Sequence, residues 1–510
     1  MVRFCLLNLN LQKQEGIKIK SKVRKCGKEK KRSARAPTAT CGAHVLPRRG
    51  GFRRRDADGG DRDGRAPQER QDAWARAMKF AASGGDLGHR PALVPALMMI
   101  YRKGMHRIWI AMLLVPGLLW PGRAAFGQID PEARKLFQFG FNQPLQGASP
   151  VAGYMFYYYN QPDFYQSNLT LRLAVAPVYL DSELGISGAL GPNTDLGLGL
   201  AGGGFADSYF EFRDGKYYPS DSFEGHSAEL SGSIYHLFNP GQRIPLSGIL
   251  RLREHYSIYD EYNNTSPAFV LPHDHSTTSL RAGLRWGGRE PVMSPALAME
   301  ISAWYEAQFR TDSGNFGYNG DRVLEPFSQL AFARVLLNYT LPDSKQRFSL
   351  SLTGGGSGHA DRFSAYRLGG NLPLSSEFPL LIPGYFYEEL SATDFVNLSG
   401  EYSVPLDPAK HWRLITYGAV AEMDYLYGLS QPGHLNSGAG LGLAYQAGSW
   451  QAQTSYGYGF QAMRDSGRGG QEIGILVQFD LAAHHRANPI VNPNGPNESR
   501  GLIHFLQNMF

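Results

Sequence analysis

The chain has 510 residues, with 51 Lys and Arg against 45 Asp and Glu. That near balance hides two unlike parts: 27 basic and 9 acidic residues up to Gly127, then 24 basic and 36 acidic from Gln128 onward. All 3 cysteines (Cys5, Cys26, Cys41) lie in the basic part, which excludes a disulfide framework and any Cys-based zinc, iron-sulfur or thiol-redox site in the body.

In chain order, residues 1–104 come first. They show charge runs such as Lys28-Glu29-Lys30-Lys31-Arg32 and Arg53-Arg54-Arg55 without a repeating apolar face. They read as a disordered basic extension, and a reading frame begun too early accounts for them better than a nucleic-acid-binding arm. No nucleic acid partner is expected. Residues 105–127 have the layout of a secretory signal: Met105-His106-Arg107, an apolar run from Ile108 to Trp120, and a small-x-small site at Ala125-Phe126-Gly127. The apolar run falls short of the roughly 20 residues a spanning helix needs. The mature protein is therefore expected to begin near Gln128, outside the cytoplasm, and without the Cys a lipid anchor at that point requires. Residues 128–150 read as a short periplasmic segment, with no array of further periplasmic domains before the body.

From there, strand-like segments alternate with period two. Ala298 to Phe309 sets Glu300, Ser302, Trp304, Glu306 and Gln308 against Met299, Ile301, Ala303, Tyr305, Ala307 and Phe309. Phe395 to Leu406 and Trp450 to Phe460 repeat the pattern. Alternation alone fits a soluble barrel with its oily face inward as well as a membrane barrel with that face toward lipid. The connections separate the two. Strands are predicted near 151–160, 169–180, 196–205, 227–237, 246–260, 278–287, 297–309, 328–342, 346–356, 393–406, 411–424, 436–446, 449–461 and 471–481. Links after the even-numbered ones are mostly short and those after the odd-numbered ones mostly long, notably 206–226, 261–277, 310–327 and 357–392. Short turns at one rim and long loops at the other are the outer-membrane pattern. The expected fold is all-β, a transmembrane antiparallel outer-membrane barrel of about fourteen strands, or sixteen if the exceptional 181–195 link hides more, spanning 151–481. Residues 482–510 form a tail.

Within 361–481 the sequence carries Arg362-Phe363, then Arg367-Leu368-Gly369-Gly370, then Pro383-Gly384-Tyr385 in a long loop, then Val396 to Leu406 and the closing strands. This order resembles the C-terminal barrel region of the Omp85 superfamily, also called the bacterial surface antigen D15 family. The resemblance implies a loop folded back into the lumen, with a tip where members carry Arg-Gly-Tyr or Arg-Gly-Phe. Here Pro383 stands in place of the tip arginine. It implies translocation or membrane assembly of a client polypeptide, with the junction of first and last strands as the place to open into lipid. Fitting that expectation, Leu380-Leu381-Ile382-Pro383-Gly384-Tyr385 is too apolar to stay in water. Glu401, Glu422 and Asp424 are predicted on the lumen face, where either Arg362 or Arg367 pairs with them or the acids simply face lumen water.

Catalytic signals are weak. His273-Asp274-His275 lies in a loop without a third ligand, Ser357, His359 and Asp361 match a hydrolase triad only in composition, and Gly354 to Gly358 lacks the Lys of a nucleotide loop. No enzyme, metal or cofactor is expected. The function read from the sequence is polypeptide or solute translocation, or membrane-protein assembly, by a monomer in outer-membrane lipid, with a separate periplasmic protein as accessory. A passive porin or structural barrel is the second reading and an outer-membrane lipid hydrolase the third.

Overall fold

The computed structural model describes residues 132–482 except 151, 241, 243, 289–292, 294–296, 374–378 and 466. The basic extension, the signal-like segment and the tail beyond Ala482 lie outside the described residues.

The described chain is almost wholly strand. In order these are β1 (Arg134–Pro144), β2 (Ala152–Pro162), β3 (Leu169–Ala176), β4 (Tyr179–Ile186), β5 (Thr194–Gly203), β6 (Tyr209–Arg213), β7 (Lys216–Leu237), β8 (Leu246–Glu261), β9 (His275–Gly288) and β10 (Leu297–Arg310). There follow β11 (Gly314–Phe316), β12 (Arg322–Leu324), β13 (Phe327–Thr340), β14 (Arg347–Gly358), β15 (Tyr366–Leu368), β16 (Leu390–Pro405), β17 (Trp412–Tyr425), β18 (Leu435–Ala447), β19 (Trp450–Arg464) and β20 (Gly467–Asp480). All but β6, β11, β12 and β15 pair antiparallel with neighbours on both sides, and β1 closes onto β20, giving a barrel of 16 strands.

Two of these strands depart from the sequence reading. β1 occupies the stretch expected to be periplasmic, so the barrel starts at Arg134 rather than 151. Its alternation is real but quiet, because Gly140 and Asn142 face inward between Phe139 and Phe141. β4 begins within the expected strand 169–180 and runs into the exceptional 181–195 link. It follows β3 across only Pro177-Val178, so no polar loop marks the boundary and the two strands run together in sequence.

The ladders differ in length. β7 and β8 share fifteen register pairs and the β1–β20 seam nine, from Leu136–Asp480 to Pro144–Glu472. β2 and β3 share six, Tyr157–Val175 to Pro162–Thr170.

Period-two geometry puts one set of each strand inside, and in β10 and β16 it is the polar one. Glu300, Ser302 and Glu306 are buried while Tyr305 and Phe309 are exposed, and Asn397 and Ser403 are buried while Val396 and Leu398 are exposed. The exposed set continues around the wall through Leu198, Leu230, Leu252, Leu284, Leu441 and Ile475. Apolar surface costs about 25 cal/mol per Å² in water, so a continuous oily girdle on a closed barrel has lipid as its solvent. Both ends of the barrel, Arg134 and Asp480, share the rim with the short turns 341–346, 406–411 and 448–449. The long connections 262–274, 311–326 and 359–389 share the other. The chain is an outer-membrane β-barrel, with the short-turn rim periplasmic.

The outer rim is covered. β6 and the top of β7, the 262–274 loop and the β11–β12 hairpin meet in a cluster of Tyr209, Phe223, Tyr259, Phe269, Phe316 and Leu324. Beneath it Arg322, 2 % exposed, donates to Asp221 at 2.6 Å and lies 3.4 Å from Glu211.

Candidate functional site: a loop latched inside the lumen

The loop between β14 and β16 first adds β15 alongside the outer end of β16, Tyr366 opposite Ala392. It then turns inward at Gly369 and Gly370, both at positive φ (133° and 98°). A side chain at Gly369 would also strike the Phe386 carbonyl, so the bend requires glycine on two counts. Below the bend the loop is packed as deeply as a protein core: Leu368, Ile382 and Tyr385 are each 0 % exposed.

The wall is shaped to receive it. The tip, Pro383-Gly384-Tyr385, lies on Gly438 of β18, Gly457 and Gly459 of β19 and Gly470 of β20. A Cβ at Gly438 would meet the Pro383 carbonyl, and one at Gly459 the Tyr385 ring. Gly384 itself has φ +81° and sits against the Gly459 amide. Ala421 and Met423 of β17 and Phe395 of β16 complete an apolar contact with Ile382 and Tyr385. Polar groups fix the register: Tyr385 donates to Asn436 at 3.1 Å, and Asn371 donates to Ser455 at 2.9 Å and accepts from Tyr417 at 2.5 Å.

One ion pair holds the tip to the wall. Arg464 on β19 donates to both oxygens of Glu389 at 3.0 Å and to the Gly384 carbonyl at 3.1 Å, with its guanidinium 3.7 Å from the Phe386 ring centroid. Glu389 also accepts from the Phe386 amide at 2.8 Å, closing the turn. Both side chains are at most 1 % exposed. The resemblance implies a cation on the loop and acids on the wall. Here the loop supplies the acid and the wall the cation, and Pro383 makes no ionic contact.

The sequence candidates on the loop come together, with partners other than those expected. Arg362 pairs with Glu211 of the outer cover at 3.1 Å. Phe363 inserts among Tyr209, Phe223, Tyr259 and Phe316. Arg367 donates to the carbonyls of Phe210 and Glu388. The three lumen acids divide. Glu401 does face inward, opposite Ser349. Glu422 and Asp424 point outward with Val420, and Asp424, 71 % exposed, lies 3.3 Å from His434 at the outer rim. The pleat puts Ala419, Ala421 and Met423 on the inner face, where Ala421 and Met423 pack against the loop, and so turns Glu422 and Asp424 outward with Val420.

The weaker candidates separate. His273 lies 3.1 Å from Asp312, Asp274 accepts from the Tyr259 amide, and His275 bonds the His273 carbonyl. Among the described residues no group of three His, Cys, Asp or Glu is placed to hold a metal. Ser357 donates to the Thr393 carbonyl and Asp361 is held by Arg310 at 2.6 Å, so neither is arranged around His359 as a triad.

No family model matches the chain, and no curated protein does. Among solved structures it is similar to CdiB from Acinetobacter baumannii, at 13 % identity over 68 % of this chain and 60 % of that one, TM-score 0.44. BamA from Haemophilus ducreyi lacking POTRA domains 1–3 follows at 12 % over 68 % and 71 %, TM-score 0.44. CdiB from Escherichia coli gives 11 % over 68 % and 63 %, TM-score 0.45. The chain spans about three fifths of the length of the two CdiB structures.

Proposed function

We propose that this barrel is a gated outer-membrane conduit of the Omp85 type, which passes or integrates a substrate, polypeptide or solute, only when the 359–389 loop leaves the lumen. The observation that carries the reading is the Arg464–Glu389 latch on a glycine-paved wall. Sixteen-stranded porins leave an aqueous channel, so a wall of this size stays closed here only because something fills it. A loop that merely narrowed a permanent channel would keep its tip hydrated, whereas Tyr385 and Ile382 are fully buried. A polypeptide client and a separate periplasmic accessory protein belong to this reading through the resemblance in 361–481.

Planar-bilayer recording tests it. The intact chain should show low conductance with rare large openings, and a variant with residues 361–389 replaced by a short Gly-Ser linker should conduct steadily. Steady large conductance from the intact chain would instead make it a passive porin, and silence from the loop-less barrel would remove the loop as the closing element.

A further inference from the structure

Between the outer cover, the loop and the β7–β13 wall lies a cavity of about 170 Å³ that none of the latch residues borders. At roughly 30 Å³ per water it has room for five or six waters, or for one pyranose ring. We infer that this chamber is a binding site for an uncharged, polyhydroxylated solute of monosaccharide size.

The charge arrangement selects that class. Glu306 accepts from Arg281 at 2.7 Å and from Arg253 at 3.2 Å. His255 lies between Asp207 at 2.7 Å and Glu229 at 3.1 Å. Arg310 is committed to Asp361. The charges on this wall thus neutralise one another, and a charged ligand would have to break an existing pair, leaving a buried charge uncompensated. Glu306 is filled by Arg253, Arg281 and Gln308. Glu229, which takes a hydrogen bond from His255 alone, and the guanidiniums of Arg253 and Arg281, with five N–H groups each, retain capacity toward a ligand that donates and accepts at the same atoms. Hydroxyl groups do this. The Ser227 hydroxyl on the same wall is buried with no hydrogen-bond partner, a polar atom that a ligand hydroxyl would satisfy. Across the cavity Trp304, Phe332 and Tyr366 offer ring surface to the C–H face of a sugar.

The test is equilibrium binding to the full-length protein in detergent, followed by calorimetry and by tryptophan emission, to which Trp304 contributes. D-glucose and sorbitol represent the proposed class, and glutamate and lysine the charged alternatives. Glucose should bind saturably in the millimolar range usual for small polar solutes, with the charged pair weaker. Ser227→Phe removes no native hydrogen bond and fills the chamber, and it should weaken glucose by at least about tenfold. Ala206→Trp, from the cover side, should do the same if the first variant fails to give a folded, heat-modifiable band. Glucose binding unchanged in a folded filled variant, absence of glucose binding, or tighter binding of either charged solute would each overturn the inference. Binding is read with the loop docked, so it stands or falls separately from the gating reading.

Discussion

Removing the acid of the latch gives the sharpest prediction. Glu389→Ala takes from buried Arg464 its hydrogen-bonded acid, leaving the buried Glu472 carboxyl of β20 within electrostatic reach but not hydrogen-bonded to it, and it also frees the Phe386 amide that Glu389 accepts from. Breaking one side of a buried pair costs about 3–5 kcal/mol, because the remaining charge must be hydrated or expelled. At about 1.4 kcal/mol per decade, that lowers the ratio of docked to undocked loop by roughly 10² to 10³, provided undocking exposes Arg464 to lumen water. Large openings in planar bilayers should therefore become more frequent by a similar factor. Protease added to intact cells should then cut between residues 371 and 388. The partner experiment separates latch from fold: in Glu389→Ala with Arg464→Met, an apolar side chain replaces the stranded cation and most of the closed-state occupancy should return, since such replacements are often neutral or stabilising. If the single variant opens no more often than the parent, or if the double variant opens more often than the single, the ion pair does not hold the loop.

Further outcomes follow from the same geometry. Gly459→Leu would place a side chain in the Tyr385 ring, so conductance should rise while heat-modifiable folding persists; Gly232→Leu, where a Cβ meets nothing, is the control. Leu398→Arg puts a charge on the lipid face and should lower folding stability in vesicles by about 2–4 kcal/mol if the position lies near mid-bilayer, read by denaturant titration. Deleting residues 128–144 removes β1 and leaves β2 and β20 each with one open edge, so no heat-modifiable band should form; a folded band would mean that fifteen strands suffice. Arg322→Met leaves Glu211 and Asp221 buried without that cation and should make the β11–β12 hairpin protease-sensitive from outside, with bilayer conductance unchanged as long as the loop stays latched.

The barrel was legible because period-two patterning and the rhythm of short and long links are imposed on every strand by lipid outside and polar groups inside. It failed where a strand lacked one of those marks: β4 for want of a polar loop before it, β1 for the small residues on its inner face. The loop's entry into the lumen was legible from its apolar tip. Its partners were not. Arg464 lies beyond a register shift between Gly459 and Met463, where residues 460–462 stand opposite Gly469 alone and the inward set moves from Gly457 and Gly459 to Ala462 and Arg464. Counting alternate residues from Trp450 therefore puts Arg464 on the wrong face. Glu389 sits in a connection, and Glu211 and Arg322 on β6 and β12, strands too short to show a period, so only the folded chain shows that they meet charges far away in sequence. Glu422 and Asp424 failed because β17 is apolar on both faces, Trp412, Leu414 and Val420 outside and Ile415, Ala419, Ala421 and Met423 inside, so the alternation there does not mark which face is the lumen's.

The uneven ladders also carry a mechanical meaning. A closed ring of hydrogen-bonded strands under lateral tension yields first where the fewest residues resist, and that place is the six-pair contact of β2 with β3 rather than the nine-pair seam where the chain's ends meet. Amide exchange should thus be fastest along Tyr157–Pro162, and bilayer stretch should spread the wall there, two strands beyond β20.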